Sequence, residues 1–201
     1  MKLQLATHNP HKVREFERLL AGPSRGRWQL EGLPSEAVLP PEDGSTFAEN
    51  ALGKARAAAA IAGRPTIADD SGIAAGALAG APGVRSARYA GEHASDEENL
   101  QKLLRQAPAG SALEYVCVIA YVDPATGAQE LFEGRCRGRL AQRPRGDRGF
   151  GYDPAFLPDD GPAGLTMAEL TDQEKDAISH RGRAARALLA WLEEHAAEAA
   201  P

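Results

Sequence analysis

Residues 2–20 read KLQLATHNPHKVREFERLL and contain a strand, a turn and a helix in close succession. Polar and apolar residues alternate from Lys2 to Ala6, which predicts a β-strand. The turn Thr7-His8-Asn9-Pro10 ends this strand. Apolar residues then recur at the spacing of one helix face, at Val13, Phe16, Leu19 and Leu20. This strand–loop–helix unit indicates an α/β fold.

Further helices and strands alternate along the rest of the chain. Thr46 and Glu49 predict a capping box at the start of an Ala-rich helix that reaches Ala62, and Ser95 and Glu98 predict one at the start of a later helix. The other predicted elements are strands at residues 28–33 and 66–68, helices at 95–106, 165–178 and 179–197, and a hairpin formed by strands at 113–122 and 129–140. We therefore predict a mixed sheet, with loops over most of residues 72–91 and 143–162.

The composition is that of an ordinary globular protein. The chain has 201 residues, of which 43% are hydrophobic, 25% charged and only 5% aromatic. We therefore predict one domain, residues 1–201, with a core built mainly from small and aliphatic side chains. The net charge of −5 argues against bulk nucleic-acid binding, and no apolar stretch is long enough to span a membrane. Cys117 and Cys136 are expected to be reduced thiols of a cytoplasmic protein.

Two adjacent carboxylates follow the buried strand predicted at residues 66–68. These are Asp69 and Asp70, and they are followed by Ser71 and Gly72. Neighbouring acids at a strand end are unfavourable unless a cation lies nearby, and Mg²⁺ typically takes one or two carboxylates together with water and phosphate oxygens. The pair indicates either a magnesium site, with one acid acting as a base towards water, or an Asx-type turn.

The loop between the first strand and the first helix has the features of an anion site. Backbone N–H groups and the helix dipole favour an anion at such a junction. Thr7 and Asn9 add short polar side chains, and Lys12 adds a positive charge. The alternative interpretation is a capped turn with a solvated lysine.

An aromatic residue stands between two glycines in Gly149-Phe150-Gly151-Tyr152-Asp153-Pro154. Such a turn lets the backbone approach a flat ligand and offers a ring for stacking. Asp153 is suited to accept hydrogen bonds from ring N–H groups. The alternative is a glycine-rich turn that carries a core aromatic residue.

Two basic residues are predicted in the first turn of the last helix. Ser179 is predicted to cap this helix, so that His180 and Arg181 follow at positions where positive charge opposes the helix dipole. A neighbouring anion or a carbonyl-rich ligand would account for them. The alternative is that both side chains are solvated.

Other charged residues have simpler explanations. Lys54 fits a solvated helix face. Arg135, Arg137 and Arg139 share one face of a strand, with Cys136 on the other face. This pattern favours a charged edge strand that resists strand addition, and a phosphate-binding or dimer role is the alternative.

Taken together, the motifs resemble one family, the inosine triphosphate pyrophosphatases, also called noncanonical purine NTP pyrophosphatases. The matching segments follow the order of that family and cover the chain from end to end. They are Thr7-His8-Asn9-Pro10-His11-Lys12, Thr46-Phe47-Ala48-Glu49-Asn50-Ala51 with Lys54, Ile67-Ala68-Asp69-Asp70-Ser71-Gly72, Gly80-Ala81-Pro82-Gly83 with Ser86-Ala87-Arg88-Tyr89, Gly149-Phe150-Gly151-Tyr152-Asp153-Pro154, Ala168-Glu169-Leu170 with Glu174-Lys175, and Ile178-Ser179-His180-Arg181.

This resemblance implies a fold, a reaction and a set of partners. The implied fold is α/β, a long twisted mixed sheet flanked by helices, in two lobes with the active site in the cleft between them. The implied reaction is Mg²⁺-dependent hydrolysis of ITP, dITP and XTP to the monophosphate and pyrophosphate. It further implies a homodimer that binds a small nucleotide. Hydrolysis of another modified nucleotide, or nucleotide binding without turnover, are the alternative functions.

The resemblance also implies roles for particular residues. Asp70 and Lys12 correspond to catalytic residues, and Glu42 and Asp70 to the metal site. The implied substrate-binding set comprises Thr7, His8, Asn9, Pro10, His11, Lys12, Ser71, Phe150, Gly151, Tyr152, Asp153, Lys175, His180 and Arg181. Donors such as His180 and Arg181 would pair with the 6-carbonyl of hypoxanthine or xanthine and disfavour adenine by one to two decades, since an unpaired buried polar group costs roughly 1–3 kcal/mol.

The chain also departs from the family pattern. His8, His11 and Arg148 stand where many relatives carry smaller residues. These departures are expected to alter affinity or pH response near the phosphates and the base.

Overall fold

The computed structural model describes residues 2–21, 27–34 and 36–198 of the chain. Its strands are β1 (Lys2–Leu5), β2 (Gln29–Gly32), β3 (Thr66–Ala75), β4 (Ala112–Val122), β5 (Gln129–Leu140) and β6 (Phe156–Pro158). Its α-helices are α1 (Pro10–Ala21), α2 (Phe47–Ala62), α3 (Asp96–Gln106), α4 (Asp172–Ile178) and α5 (His180–Glu198). Short 3₁₀ helices cover Gly76–Leu78, Gly83–Arg88, Asp153–Ala155 and Met167–Glu169. The α/β class is therefore confirmed.

The strands form one six-stranded sheet in the order β2-β1-β3-β4-β5-β6. β1 runs parallel to both β2 and β3, whereas β5 and β6 are antiparallel. β4 and β5 are neighbours joined by the turn after Val122, as predicted for the hairpin. The sheet is mixed, and because Leu5 of β1 pairs with Ile67 of β3, the loop after β1 begins beside the part of β3 that carries the two acids.

Helix capping follows the sequence closely. Thr46 and Glu49 form the predicted capping box of α2, and Ser95 and Glu98 form that of α3. Gly63 ends α2 in a left-handed conformation with φ of 61°. Each satisfied cap typically contributes about 1 kcal/mol, so these short polar residues define where the helices begin.

The strand that carries the acidic pair is longer than predicted. The sequence predicts a strand at residues 66–68 that ends before Asp69, but β3 continues through the pair to Ala75. The Asx-turn interpretation is therefore wrong. Strand pairing supplies the backbone hydrogen bonds that a turn would otherwise provide. Likewise, β6 lies in the segment predicted as loop, and it covers one end of β5 by pairing with residues from Gly138 to Leu140.

The chain packs as two compact units, each with its own core. The first comprises the residues up to Asp70, Cys117–Gly134 and the chain from Arg183 onward, and the second comprises Ser71–Val116 and Arg135–Gly182. In the first unit, alanines of α2 pack against Ala68, Val118, Ala120 and Val122. The prediction of a core rich in small side chains is confirmed there. Whether the chain is one functional domain of two lobes stays a prediction.

The arginine face of β5 is confirmed, but the edge-strand interpretation is wrong at the end that carries Arg139, where β6 pairs with Gly138–Leu140. Arg135, Arg137 and Arg139 are exposed while Cys136 is fully buried. β5 lies between β4 and β6 and is an interior strand at that end. Arg135 and Arg137 instead pair with Glu114 of the neighbouring strand. Among the described residues, no helix is long and apolar enough to cross a membrane.

Candidate active site

The loop after β1 is organised around Asn9. Its Oδ1 accepts hydrogen bonds from the backbone N–H groups of His11 at 2.9 Å and Lys12 at 3.3 Å. Pro10 occupies the first position of α1, where its missing N–H and fixed φ are suited. Asn9 therefore caps the helix, and since its carbonyl oxygen is committed to the cap, its NH₂ group is the part available to a ligand. Thr7 supports the loop by accepting from the N–H of Asn9 at 3.2 Å.

The two histidines of this loop have contacts within the first unit. His8 Nε2 lies 2.9 Å from the carbonyl oxygen of Ala37 and donates to it. Arg14 donates to Nδ1 of His11 at 2.8 Å. His8 thus ties the loop after β1 to the segment that leads towards Glu42.

Lys12 forms an ion pair with Asp69. Its Nζ lies 3.0 Å from Oδ2 of Asp69, and the Asp69 side chain is fully buried. The interpretation of Lys12 as a solvated lysine is therefore wrong. A buried carboxylate needs a partner in close contact, and the first turn of α1 supplies it because β1 and β3 are adjacent parallel strands.

Lys54 is also buried among acids. Its Nζ donates to Oε1 of Glu42 and, at 2.7 Å, to the backbone carbonyl of Asp69. Its side chain is only 7% exposed, so the prediction of a solvated helix face is wrong. Burial alone would lower the pKa of Lys54, but the carboxylates of Asp69, Glu42 and Asp70 outweigh that effect and raise it. Lys54 therefore stays charged at neutral pH.

Asp70 is held by Asn50. The Nδ2 of Asn50 donates to Oδ2 of Asp70 at 2.8 Å, and its Oδ1 accepts from the backbone N–H of Gly44 at 2.8 Å. Burial raises the pKa of Asp70, and Glu42 raises it further, against the opposing effects of Lys54, Asn50 and Lys12. An acid with a raised pKa is a better base at neutral pH.

We name Lys12, Glu42, Asn50, Lys54, Asp69 and Asp70 the acid–lysine cluster. Within residues 2–21, 27–34 and 36–198, no three His, Cys, Asp or Glu side chains are grouped so as to hold an ion by themselves. Mg²⁺ commonly takes only one or two carboxylates and completes its shell with water and substrate phosphates. The negative charge of Glu42 raises the pKa of Asp70, which shows that the two carboxylates repel each other. A bound cation would relieve this repulsion, so the two carboxylates fit such an ion.

A second cluster lies in the other unit around Asp153. Oδ2 of Asp153 accepts from Nζ of Lys175 at 2.6 Å and from the backbone N–H of Phe150 at 3.0 Å. The side chains of Asp153 and Lys175 are both nearly fully buried. Lys175 Nζ also lies 5.1 Å from the centre of the Phe150 ring, within cation–π range. The ion pair thus fixes the turn that carries the aromatic ring.

His180 and Arg181 begin α5 and belong to the same cluster. Ser179 caps the helix by accepting from the N–H of Gly182 at 3.0 Å, as predicted. Arg181 is 1% exposed, and it donates to Oγ of Ser71 at 2.7 Å. Its guanidinium lies 5.7 Å from the Phe150 ring centre. The alternative of two solvated cations is therefore wrong. We name Ser71, Tyr115, Phe150, Asp153, Lys175, His180 and Arg181 the aromatic–cation cluster.

The remaining residues of the glycine-rich turn differ in environment. Tyr152 is buried in the core of the second unit, and its hydroxyl donates to the carbonyl of Ser86 at 2.7 Å. The backbone N–H of Gly151 donates to Asp96 at 2.9 Å. Gly149 and Gly151 both have positive φ values, of 71° and 63°.

The sequence does not single out two residues of these clusters, Asn50 and Tyr115. Asn50 lies one helical turn before Lys54 on α2, and that four-residue spacing was a usable signal. Tyr115 on β4 contacts both Asp153 and His180, yet it lies in an apolar run that reads as an ordinary buried strand. Nothing in the sequence near Tyr115 distinguishes it from a core residue.

Comparison with known proteins gives consistent matches along nearly the whole chain. The model of the Ham1 family matches residues 3–191. A dITP/XTP pyrophosphatase of Symbiobacterium thermophilum is 50% identical over 187 residues, covering 91% of this chain and 90% of that protein. One of Cutibacterium acnes is 45% identical over 200 residues, covering 96% and 97% respectively. The structure of a HAM1 protein from Coxiella burnetii superposes with a TM-score of 0.83 at 40% identity, covering 96% of this chain and 99% of that chain.

The resemblance of the sequence motifs to nucleotide pyrophosphatases is thereby confirmed. The match to the family model includes all residues of the acid–lysine and aromatic–cation clusters, since they lie between Lys12 and Arg181. From these matches and the shared fold, the chain belongs to the Ham1 family.

Proposed function

We propose that this protein hydrolyses noncanonical purine nucleoside triphosphates, namely dITP, ITP and XTP, to the nucleoside monophosphate and pyrophosphate. The observation that carries the proposal is the similarity, at 45% and 50% identity and over at least 90% of each chain, to relatives named dITP/XTP pyrophosphatase. The two clusters are suited to the chemistry that such a reaction needs at the phosphates, at the attacking water and at the base.

The acid–lysine cluster is suited to the triphosphate. Hydrolysis at the α-phosphorus releases pyrophosphate, and the developing negative charge on that leaving group must be stabilised. Lys12 is held in place by the buried Asp69 and Lys54 by the half-buried Glu42, so both lysines need little reorganisation to do so. The NH₂ group of Asn9 and the hydroxyl of Thr7 are additional donors in the loop before Lys12.

Asp70 is the residue we assign as the base that orients and deprotonates the attacking water. Its raised pKa favours proton acceptance, and the hydrogen bond from Asn50 fixes its orientation. Asp69 has a different role in this proposal, because its Oδ2 is already paired with Lys12 at 3.0 Å. Asp69 positions the lysine, and Asp70 acts on water.

Glu42 and Asp70 are the residues we assign to a Mg²⁺ ion. When bound, the ion would add positive charge at the phosphates and help to stabilise the leaving pyrophosphate. Both carboxylates would supply oxygen ligands to the ion. Lys54 holds Glu42 in place by an ion pair.

The aromatic–cation cluster is suited to the purine. His180 and Arg181 are buried donors that would pair with a 6-carbonyl, and Phe150 offers a ring for stacking. An adenine amino group would face those donors without an acceptor, which disfavours ATP. The active-site cleft and the homodimer implied by the family resemblance remain part of this proposal.

The test is pyrophosphate release from a panel of nucleotides with and without Mg²⁺. We expect kcat/KM for ITP, dITP and XTP to exceed that for ATP by about 10- to 100-fold, the range that one unpaired buried polar group gives. Turnover of ATP and GTP as fast as that of ITP would refute the selectivity. Tight binding of ITP in calorimetry without any pyrophosphate release would instead indicate a nucleotide-binding regulator.

A further inference from the structure

Tyr115 joins two functional residues of the aromatic–cation cluster. Its hydroxyl donates to Oδ1 of Asp153 at 3.1 Å. Its ring stacks on the imidazole of His180, with ring centres 4.5 Å apart and planes inclined by 5°. Tyr115 itself is 6% exposed and packs against Phe156 with ring centres 4.6 Å apart. The phenol is therefore rigidly placed by the core behind it.

The hydroxyl of Tyr115 completes the hydrogen bonding that orients Asp153. Lys175 and the N–H of Phe150 both donate to Oδ2 of this carboxylate, whereas Tyr115 donates to Oδ1. With donors on both oxygens, the carboxylate plane is fixed about its terminal torsion. Without the hydroxyl, only Oδ2 of Asp153 keeps its donors. The carboxylate can then rotate more freely, because such sp³–sp² torsions have broad minima.

The ring of Tyr115 restrains His180 in a second way. A nearly parallel stack at 4.5 Å sets the plane of the imidazole and therefore the direction of its in-plane N–H groups. His180 is the first residue of α5, so its backbone is fixed by the helix cap at Ser179. The stack fixes the part of the side chain that the cap leaves rotatable.

We propose that Tyr115 is a positioning residue for base recognition, acting through Asp153 and His180 on the nucleoside part of the substrate. This inference rests on the proposed function and deepens it by naming what sets the geometry of the recognition groups. It predicts an effect on binding of the base and ribose and none on binding of the phosphates. Preorganised donors lose less conformational freedom on binding, which is why the effect falls on affinity.

The test compares Tyr115→Phe with Tyr121→Phe as a matched control. Both residues lie on β4 and both are buried, but Tyr121 packs against Trp191 and has no part in the aromatic–cation cluster. Each substitution removes one hydroxyl and keeps the ring. A third variant, Tyr115→Leu, also removes the stack on His180. Steady-state kinetics with XTP, ITP and ATP are measured together with the affinities for inosine monophosphate and for inorganic pyrophosphate.

We expect Tyr115→Phe to weaken inosine monophosphate binding and to raise KM for XTP and ITP by about three- to tenfold, the usual effect of one lost hydrogen bond. The value of kcat and the affinity for pyrophosphate should stay within about twofold of wild type, the signature of lost uniform binding. Tyr115→Leu should weaken monophosphate binding further. Tyr121→Phe should match wild type in all of these measurements.

The outcomes separate the inference from the proposed function. If the wild-type protein cleaves XTP but Tyr115→Phe binds inosine monophosphate as tightly as Tyr121→Phe does, the positioning role is refuted and the function stands. A parallel loss of pyrophosphate affinity in Tyr115→Phe would show a general structural defect and would also refute it. A wild-type protein that releases no pyrophosphate from any purine triphosphate overturns the proposed function and this inference with it.

Discussion

The Nζ of Lys12, in the first turn of α1, lies 3.0 Å from Oδ2 of the fully buried Asp69 on β3. The pair links the loop after β1 to the strand that carries the two acids. Lys12 therefore has two duties in our account, since it neutralises a buried carboxylate and presents charge to the substrate phosphates. Its removal should affect both stability and turnover.

We predict that Lys12→Met destabilises the protein by about 1–3 kcal/mol, because it removes one charged partner of the buried Asp69 carboxylate while Lys54 remains nearby. It should also lower kcat/KM for XTP. Thermal unfolding and steady-state kinetics are the measurements. Lys2→Met is the control, because Lys2 is 60% exposed and its pair with Glu31 lies at the surface, where such pairs contribute little. Equal unfolding temperatures for the two variants would contradict the buried-pair account.

Asp70→Asn should lower turnover by about two orders of magnitude or more, as expected when a general base is removed. The same change should raise stability at neutral pH. Burial raises the pKa of Asp70 above its ordinary value of 3.8, so the folded state favours the protonated acid and the buried charge is a cost at higher pH. The amide has no charge and escapes that cost.

The pH dependence of this stability difference has a defined sign. For a raised pKa, the stabilising contribution of Asp70 is complete below 3.8 and is lost as pH rises through the raised folded value. The advantage of Asp70→Asn over wild type should therefore be largest at neutral pH and shrink as the medium is acidified through that range. Unfolding in denaturant without divalent ions, repeated across pH, is the measurement. An advantage that grows on acidification would contradict the assigned direction.

The sequence predicted local structure better than it predicted the environments of charged residues. The helix caps at Thr46, Ser95 and Ser179 were read correctly because a cap depends on residues within one turn of each other. The burial of Lys54 was not predicted, since its partners Glu42 and Asp69 come from other parts of the chain. No local pattern reports such contacts.

The extent of β3 shows the same limit. Asp69, Asp70, Ser71 and Gly72 form a typical turn sequence, and their low strand propensity predicts that the strand ends before them. In the structure, the neighbouring strands and the ion pairs outweigh propensity. The family resemblance implies a functional role for Asp70, but only the fold shows that both acids lie within a strand.

Asn50→Ala tests how the loop that contains Glu42 is coupled to Asp70. Asn50 donates to Asp70 and accepts from the N–H of Gly44, so its loss removes both hydrogen bonds. We predict a fall in kcat of about tenfold, because the carboxylate loses its fixed orientation. The control is Asn99→Ala, since Asn99 is also a buried helix residue whose amide holds a loop, through Ala87 and Ala90.

Both asparagine variants should lose similar stability, about 1–3 kcal/mol, because each removes two hydrogen bonds made by a buried asparagine side chain. Only Asn50→Ala should lose turnover beyond what its folded fraction explains. Gly44→Ala provides a second route to the same contact, since a Cβ there would lie 2.6 Å from Oδ1 of Asn50. A normal kcat in both Asn50→Ala and Gly44→Ala would show that the Asp70 carboxylate is oriented by other contacts.

Gly149→Ala and Gly151→Ala separate backbone strain from steric overlap in the glycine-rich turn. Both glycines have positive φ, so alanine at either position costs about 1–2 kcal/mol of backbone strain. A Cβ at Gly149 would overlap Oδ2 of Asp153 and lie 3.2 Å from Nζ of Lys175, whereas a Cβ at Gly151 would have nothing within 4 Å. Both variants should therefore unfold at lowered temperatures, with Gly149→Ala the less stable of the two, because only Gly149→Ala should displace the buried Asp153–Lys175 pair. We expect the affinity of Gly149→Ala for inosine monophosphate to fall by about tenfold or more, while its affinity for pyrophosphate is retained. If calorimetry shows the same monophosphate affinity for both variants, the ion pair does not control nucleoside binding, and the aromatic–cation cluster loses the role assigned to it.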